Sequence, residues 1–406
     1  MNENPVRAQH RSWHRLDGVD LLRCLAIVFV LLNHVNMRLF LAHIPYTRGL
    51  PSQLMASLIW NGQRGVQIFF AVSGFLITST TLRRWGEFSS RSARQFYQLR
   101  FARIAPLLLL VLALLSALHA AGFRDYVVDE GTGGLGRALF AALTFHINVL
   151  EASRGYLPGN WDVLWSLSVE EMFYLFFPLL MWLFGRGKPL VALLLVFVVM
   201  GPFARTVWAG GNEVWEEYSY LGGMDAIALG CLTALTLASV TISNRVSRTM
   251  GWTGSALLIL CLAFTHQMAE WGLSGAGLDM TLVAVATCMI IAAAAQTGWR
   301  SGPLLSPLLS LGRSSYEIYL VHMFVVFAAY RLFVASGKPM VAVPILFLGV
   351  IVIAGLLGTL VAKFFSEPVN RWLRKRRGDG PDNLGAAIAP TTAALRAYRR
   401  WCDPRP

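Results

Sequence analysis

Long apolar runs recur along the chain, and each is close to the length that crosses a lipid bilayer. The clearest runs are residues 19–40, 66–82 and 107–121, the residues around Leu179, and residues 344–361. A helix needs about 20 mainly apolar residues to span the hydrocarbon core. Lipid offers no hydrogen bonds, so a spanning segment must satisfy its own backbone groups, as a helix does. The sequence therefore predicts an all-α polytopic membrane protein.

The composition agrees with a membrane protein. Of the 406 residues, 55% are hydrophobic and 14% are charged, and the mean hydropathy is +0.54, whereas soluble domains carry about 25% charged residues. The formal net charge is +13. The Arg and Lys residues are dispersed over short loops, however, which is typical of cytoplasmic membrane loops and not of a nucleic-acid surface. We therefore expect no nucleic-acid partner.

The cysteines give no sign of a metal or redox site. Four of the five lie inside apolar runs, and the chain contains no C-x-x-C pair. We interpret these four as small core residues, and we expect no bound metal.

Basic and acidic loops alternate along the chain. Residues 83–103 form a basic loop and residues 125–162 an acidic one, and the positive-inside rule places basic loops in the cytoplasm. The apolar run 135–150 interrupts the acidic stretch and contains Arg137 and His146. We interpret this run as a re-entrant or interfacial helix, because polar groups at membrane depth need protein or water around them.

This interpretation gives a bundle of about ten transmembrane helices, with eleven left open. Both termini are then cytoplasmic. We divide the chain into a cytoplasmic segment 1–15, a transmembrane domain 16–377 and a flexible cytoplasmic tail 378–406. The tail contains Gly, Pro, Ala and scattered Arg, as chain ends often do.

The first apolar run contains two ionisable residues, Arg23 and His34. Such residues are costly in lipid and mark functional sites by default. Eleven positions separate them, so in a helix they share one face and lie roughly 16 Å apart along the axis. A neutral imidazole can take the proton of an attacking hydroxyl, which makes His34 a candidate general base. The alternative is a buried histidine that is hydrogen-bonded to a carbonyl group.

Further candidates flank other apolar runs. Arg100 and Arg103 suit phosphate oxygens, although they could equally be topology anchors. Glu170 is expected at the outer start of a span, at the depth of His34, where it could orient the imidazole or hold an acceptor. The stretch Ser168 to Glu171 also has the pattern of a capping box, by which Glu171 would only satisfy a helix terminus.

A polar stripe follows residue 314. Ser315, Tyr319 and His322 fall at i, i+4 and i+7 and therefore share one helix face. We expect this face to line the bundle interior, where Tyr319 and His322 either contact a donor or hold helices together by hydrogen bonds. Weaker candidates are Asp225, a second acid within an apolar run, and Ser73, which precedes a glycine that permits close helix approach.

Several of these residues lie in motifs that resemble one known family. The motifs, in chain order, are Leu16-Asp17-Gly18 followed by Arg23 and His34, the segment 65–77 (GVQIFFAVSGFLI), Arg100 with Arg103, Trp165-Ser166-Leu167-Ser168-Val169-Glu170, the segment 312–322 (GRSSYEIYLVH), and Ser366-Glu367-Pro368. In this order they resemble the membrane-bound acyltransferase-3 family of bacterial O-antigen, peptidoglycan and macrolide O-acyltransferases. Gln67 departs from the pattern, because many relatives carry Asp there.

The resemblance implies an acyl group, usually acetyl, that passes from acyl-CoA to a hydroxyl of a glycan or other envelope acceptor. Acyl-CoA is then a co-substrate, and no bound cofactor is expected. His34 resembles the essential histidine of the family, with Glu170 as a second catalytic candidate. The residues assigned to the donor are Arg23, Arg100, Arg103, Tyr319 and His322. Those assigned a supporting role are Asp17, Ser73, Ser166, Ser315 and Asp225.

Some relatives carry an additional esterase-like domain. We expect none fused to this chain, so that it would act alone or with a separate partner. A proton-coupled transporter or flippase is the alternative function, since intramembrane His, Arg and Glu also suit a carrier. A membrane scaffold is a third candidate function, but a scaffold would not require Arg23 and His34 on one helix face.

Overall fold

The structure is a computed structural model that describes residues 16–85 and 89–376. The expected N-terminal segment 1–15 and the expected tail 378–406 lie outside these residues. The described part of the chain contains helices and connecting turns and no β-strand, which confirms the all-α prediction.

Eighteen α-helices follow one another in the described residues. They are α1 (Asp17–Leu41), α2 (Ser52–Ile59), α3 (Gly62–Trp85), α4 (Ser90–Ala120), α5 (Gly134–Leu143), α6 (Ile147–Arg154), α7 (Gly159–Asp162), α8 (Leu164–Phe184), α9 (Lys188–Arg205), α10 (Glu213–Tyr218), α11 (Tyr220–Ser239), α12 (Asn244–Ala263), α13 (Thr265–Glu270), α14 (Leu278–Thr297), α15 (Ser306–Arg313), α16 (Ser315–Ala335), α17 (Val343–Val361) and α18 (Glu367–Arg376). A π-helical turn, Ala362–Ser366, joins α17 to α18.

Ten helical stretches of the described chain are long and apolar enough to cross a membrane. They are built on α1, α2–α3, α4, α7–α8, α9, α10–α11, α12, α14, α16 and α17–α18. The apolar run 135–150 does not add a further span. It covers nearly all of α5, a helix of 10 residues, and the first half of α6, a helix of 8 residues, and both helices are too short to cross the bilayer.

Helix α3 lies at the centre of the bundle, where it packs against α1, α11 and α14. Its contact with α11 depends on glycine on both sides. A Cβ atom at Gly74 would collide with the carbonyl oxygen of Ile227, and one at Gly230 would collide with that of Ala71. Small residues let membrane helices approach this closely, and the gain is van der Waals packing.

Two buried ion pairs tie the same helices together. Arg205 of α9 lies 2.8 Å from Asp225 of α11, and Gln67 of α3 donates to the same carboxylate at 2.9 Å. Arg64 of α3 pairs with Asp279 of α14, also at 2.9 Å. An isolated charge at such depth is costly, and these pairs offset that cost by mutual attraction and hydrogen bonds. The amide of Gln67 can donate to Asp225, which a carboxylate at that position could do only when protonated.

Candidate active site

A cavity of about 550 Å³ opens between α1, α3, α4, α8, α15, α16 and α18. Apolar side chains such as Phe69, Leu76 and Leu320 form much of its wall. The end of the bundle where Arg84, Arg313 and Arg374 line this cavity is called the basic end below. The end that carries Asp125, Glu151 and Asp162 is called the acidic end.

The charges around the cavity are strongly unequal. Among the described residues that line it, one carries a carboxylate, Glu170, and six are arginines: Arg23, Arg84, Arg100, Arg103, Arg313 and Arg374. A cleft with charge of one sign and apolar walls concentrates ligands of the opposite sign. The cavity is therefore suited to a long ligand with an anionic part and an apolar part.

Arg100 of α4 and Glu170 of α8 meet in the wall of the cavity. The Arg100 guanidinium lies 3.6 Å from Glu170 and 3.2 Å from Glu171, and it stacks 3.5 Å above the ring of Tyr174. The Tyr174 hydroxyl donates to Glu170 at 2.6 Å, and the Ser73 hydroxyl contacts both Glu170 and Tyr174. Arg100 therefore fixes two carboxylates in place, and its charge is largely compensated.

These contacts correct two expectations about α8. The helix begins at Leu164, so the Ser168–Glu171 stretch lies inside it and does not cap it. Glu170 is the seventh residue of α8, about two turns in from its start, and it lies beside Arg100 and not at the outer end of the helix. The reason is the start of the helix, which lies several residues before the expected one.

The first turns of α16 form one wall of the cavity and lead to its inner end. Here the Arg23 guanidinium donates to the Ser315 hydroxyl at 3.1 Å. One turn further, the hydroxyl groups of Ser166 and Tyr319 are 2.6 Å apart. The polar stripe of α16 thus faces the bundle interior as expected, and the two hydroxyl groups form the inner limit of the cavity.

His34 and His322 lie just beyond that limit. The Tyr319 and His322 rings are 5.6 Å apart and the His322 and His34 rings 4.9 Å apart, centroid to centroid. Nε2 of His322 is 3.4 Å from Nδ1 of His34. The Nδ1 atoms of both rings also face carbonyl oxygens, that of Val30 at 2.8 Å for His34 and that of Tyr319 at 2.6 Å for His322.

These partners assign the tautomers. A carbonyl oxygen can only accept, so each Nδ1 carries the proton and each Nε2 carries a lone pair. The Nε2 lone pair of His322 is directed at the Nδ1–H of His34. That leaves Nε2 of His34 as the basic nitrogen of the pair that can accept a proton from another group.

A polar cluster surrounds the next turn of α1, toward the acidic end. Arg38 lies four residues after His34 and stacks 4.3 Å above the ring of Phe327. Its guanidinium packs against Gly159, where an added Cβ would come within 2.8 Å of Nη2. Arg38 is also close enough to Asp125 and Asp162 to interact with their charges.

The residues next to Arg38 contain many buried polar atoms without a hydrogen-bond partner. Asn160 is 3% exposed, and neither atom of its side-chain amide has a partner within the described residues. Nε of Arg38, Oε2 of Glu151 and Nε1 of Trp161 lack one as well. Such groups are costly to bury unless a ligand or water completes them. The cluster is therefore suited to a ligand that is rich in hydroxyl groups.

Burial and a neighbouring charge both raise the pKa of the Glu151 carboxyl group. This residue of α6 is fully buried, and Oε1 accepts from the Leu157 amide at 3.0 Å. Burial, and then the nearby Asp162 charge, raise the pKa of Glu151 well above its ordinary value.

Most of the residues singled out in the sequence come together. Those that line the cavity are Arg23, Ser73, Arg100, Arg103, Ser166, Glu170, Ser315 and Tyr319. His34 and His322 adjoin its inner end. Two lie elsewhere: Asp17 accepts from Arg300 and Ser301 at the start of α1, and Asp225 is held by Arg205 and Gln67 within the α3–α9–α11 network.

Several residues of the site were missed in the sequence. Arg38 shares a helix face with His34 at i+4, so the rule that intramembrane charges mark sites would have found it. Arg374 and Asn370 also share a face at i, i+4, but they lie in a basic segment that has the composition of a topology anchor. Asn160 has no local signal, because its significance depends on burial.

A family model described as an acyltransferase domain, Acyl_transf_3, matches residues 16–362. Among curated proteins, the chain is similar to the O-acetyltransferase OatA of Staphylococcus aureus, with 22% identity over 88% of this chain and 57% of that protein. It is also similar to the peptidoglycan O-acetyltransferase OatA of Listeria monocytogenes, with 28% identity over 78% of this chain and 50% of that protein.

A third relative is the putative peptidoglycan O-acetyltransferase YrhL of Bacillus subtilis, with 27% identity over 77% of this chain and 49% of that protein. The chain thus spans about half the length of these curated relatives. No solved structure matches it.

Proposed function

The chain belongs to the acyltransferase-3 family, and from that premise we propose that it transfers an acetyl group from acetyl-CoA to a hydroxyl of a cell-envelope glycan. The observation that carries this proposal is the alignment of three features along α1. They are the arginine-rich cavity, the His34–His322 pair at its inner end, and the polar cluster around Arg38.

The cavity is suited to the donor. Its arginines match the phosphate groups at one end of coenzyme A, and its apolar wall matches the pantetheine arm. Arg23 and His34 are about 16 Å apart along α1, so an arm that passes Arg23 brings its thioester toward the imidazole. Movement of the Tyr319 side chain away from Ser166 would open the last step of this path.

The polar cluster at the acidic end is suited to the acceptor. Asn160, Arg38 and Asp162 present an amide, a guanidinium and a carboxylate, and sugar hydroxyls can hydrogen-bond to all three. The names of the relatives point to peptidoglycan as the acceptor glycan. An acceptor bound there approaches His34 from the side opposite to the donor.

The chemistry then needs one base. Nε2 of His34 takes the proton from the acceptor hydroxyl while the oxygen attacks the thioester carbonyl carbon. The tetrahedral intermediate collapses, the carbon–sulfur bond breaks, and the coenzyme A thiolate takes the proton back from the imidazolium. An O-acetyl ester and free coenzyme A are the products. His322 holds His34 in the reactive tautomer, and Glu170 with Arg100 shapes the donor cavity.

The decisive experiment follows labelled acetyl groups. Purified protein in detergent or vesicles is supplied with acetyl-labelled acetyl-CoA and peptidoglycan fragments, and label is measured on the sugar hydroxyls. A His34→Ala variant serves as the blank. Release of free coenzyme A without an O-acetyl product would mean that the protein is a thioesterase and not a transferase. If neither product formed, acetyl-CoA would not be the donor.

We further propose that the basic end faces the cytoplasm and the acidic end faces outward, in the bacterial cytoplasmic membrane. Acetyl-CoA is a cytoplasmic metabolite, and the positive-inside rule gives the same orientation. A cysteine introduced at the exposed residue Ser153 of α6 should react with an impermeant reagent from outside. Reaction from the cytoplasmic side alone would reverse the orientation.

A further inference from the structure

Helix α18 closes one side of the cavity at the basic end. It follows the π-helical turn Ala362–Ser366 and packs against α4. Asn370 and Arg374, one turn apart on this helix, both line the cavity. The remaining lining residues come from within 23–320, so α18 brings a distant part of the chain to the site.

Both side chains are incompletely satisfied. Oδ1 of Asn370 and Nε of Arg374 are buried and lack a hydrogen-bond partner within the described chain. One of these atoms accepts and the other donates. A charged donor that is withdrawn from water without a partner carries a desolvation cost, which an anionic ligand would remove.

The arginines of the cavity fall into two groups. Arg23, Arg100 and Arg103 lie inside α1 and α4 and line the deeper part of the cavity, near Ser315, Glu170 and Tyr316 respectively. Arg84, Arg313 and Arg374 lie at the ends of α3, α15 and α18, around the opening of the cavity. Phosphate groups that enter last, behind a long apolar arm, would meet this second group.

We propose that α18 is a specificity element for the donor, in which Arg374 binds the phosphates of the nucleotide end and Asn370 accepts an N–H group of the same ligand. This inference rests on the proposed acetyl-CoA donor and adds a recognition site to it. Bidentate guanidinium–phosphate contacts are among the stronger polar contacts. Replacement of Arg374 should therefore weaken the binding of donors that carry phosphate groups more than that of donors without them.

Arg371 provides a matched control on the same helix. It is an exposed arginine, and it pairs within the helix with Glu367 at 3.9 Å. Its replacement changes the net charge of α18 by the same amount as replacement of Arg374. A general effect of charge on membrane anchoring would therefore appear in both variants.

The test compares two thioesters, acetyl-CoA and S-acetylpantetheine, which lacks the phosphates and the nucleotide. Turnover is measured for the full-length wild-type protein and for the Arg374→Ala, Arg374→Gln and Arg371→Ala variants. For acetyl-CoA we expect the KM to rise about 10- to 100-fold in both Arg374 variants. The kcat/KM for S-acetylpantetheine should stay unchanged, which also shows that these variants are folded.

Three results would overturn the inference. They are equal use of the two thioesters by the wild-type protein, equal effects of the Arg374 and Arg371 substitutions, and parallel losses for both thioesters in the Arg374 variants. If the wild-type protein used neither thioester, the proposed donor itself would be wrong. That outcome is distinct from a failure of α18 alone.

Discussion

Nδ1 of His34 lies 3.4 Å from Nε2 of His322, across the interface between α1 and α16. The same Nδ1 is 2.8 Å from the Val30 carbonyl, so its proton is shared between two acceptors and Nε2 is left with the lone pair. A backbone carbonyl one turn earlier on α1 and a histidine almost 290 residues later in the chain thus select a single tautomer.

The first prediction concerns His34 as the base. His34→Ala should lower kcat for transfer by about 10²- to 10⁴-fold, because general base catalysis typically supplies that factor. His34→Gln should be nearly as inactive, since an amide cannot take the proton. Binding of coenzyme A, measured by calorimetry, should change little, because the phosphate site that we propose lies at the basic end of the cavity, away from the imidazole.

The matched control is His266→Gln, at an exposed position on α13, which should leave transfer unchanged. Activity of His34→Gln within a few-fold of the wild type would reduce the imidazole to a hydrogen-bonding group. The base would then have to be sought at Glu170 or His322.

The second prediction separates His322 from His34. His322→Leu removes the acceptor that faces the Nδ1–H of His34 and should lower kcat by about 10-fold or more, with KM for the donor unchanged. His322→Gln can present its amide oxygen to the same proton and should recover much of the loss. A structural role alone would not distinguish Gln from Leu in kcat while both variants remain folded. Equal kcat values for the two would assign His322 to packing.

The third prediction concerns Arg100 and Arg103, to which the sequence analysis assigns the same role. Arg100 faces two carboxylates, whereas Arg103 lies 5.7 Å from the centre of the Tyr316 ring. Arg100→Ala leaves Glu170 and Glu171 without their counter-charge and should lower the melting temperature as well as donor affinity. Arg103→Ala should weaken coenzyme A binding with a smaller loss of stability.

Arg91, exposed on α4, is the control for both substitutions, and Arg91→Ala should affect neither property. Thermal unfolding and coenzyme A titration of the three variants give the comparison. Equal donor affinity in all three would return Arg100 and Arg103 to the role of topology anchors.

The fourth prediction concerns the acceptor. Asn160→Ala should raise the KM for peptidoglycan fragments about 5-fold, because a buried amide that hydrogen-bonds a sugar contributes roughly 1 kcal/mol. The KM for acetyl-CoA should not change, since Asn160 lies on the far side of the histidine pair. Asn244→Ala, at an exposed position of α12, serves as the control. A shift in the donor KM, with the acceptor KM constant, would exclude Asn160 from the acceptor site.

Periodicity explains why part of the site could be predicted. Arg23 and His34 share a face of α1, and Ser315, Tyr319 and His322 share a face of α16, because both helices are regular. The structure brings these two faces together: Arg23 contacts Ser315 and His34 contacts His322. What the sequence could not supply is which helices pair.

The missing information is tertiary and electrostatic. Arg374 has the same local sequence signal as an anchor arginine, and only the packing of α18 onto the cavity sets it apart. Glu170 was placed too far toward the acidic end because the boundary of α8 was misplaced, and helix boundaries are the least reliable part of a sequence-based assignment. Asp225, a prominent intramembrane acid, proved to be a partner of Arg205 within the bundle.

The last prediction uses the buried carboxyl group of Glu151. Its pKa is raised well above the ordinary 4.5 by burial and by the Asp162 charge. Folding therefore takes up a proton when the pH lies between 4.5 and the raised pKa of the folded state. Stability from this group is therefore complete below pH 4.5 and is lost as the pH rises through the pKa of the folded state.

The variant Glu151→Gln tests this prediction, because it keeps an oxygen for the Leu157 amide and cannot ionise. Its free energy of unfolding should fall less steeply with rising pH than that of the wild type, whereas Glu213→Gln, at an exposed position of α10, should follow the wild type. The measurement is thermal unfolding in detergent from acidic to mildly alkaline pH, and identical slopes for wild type and Glu151→Gln would show that Glu151 is ionised in the folded protein.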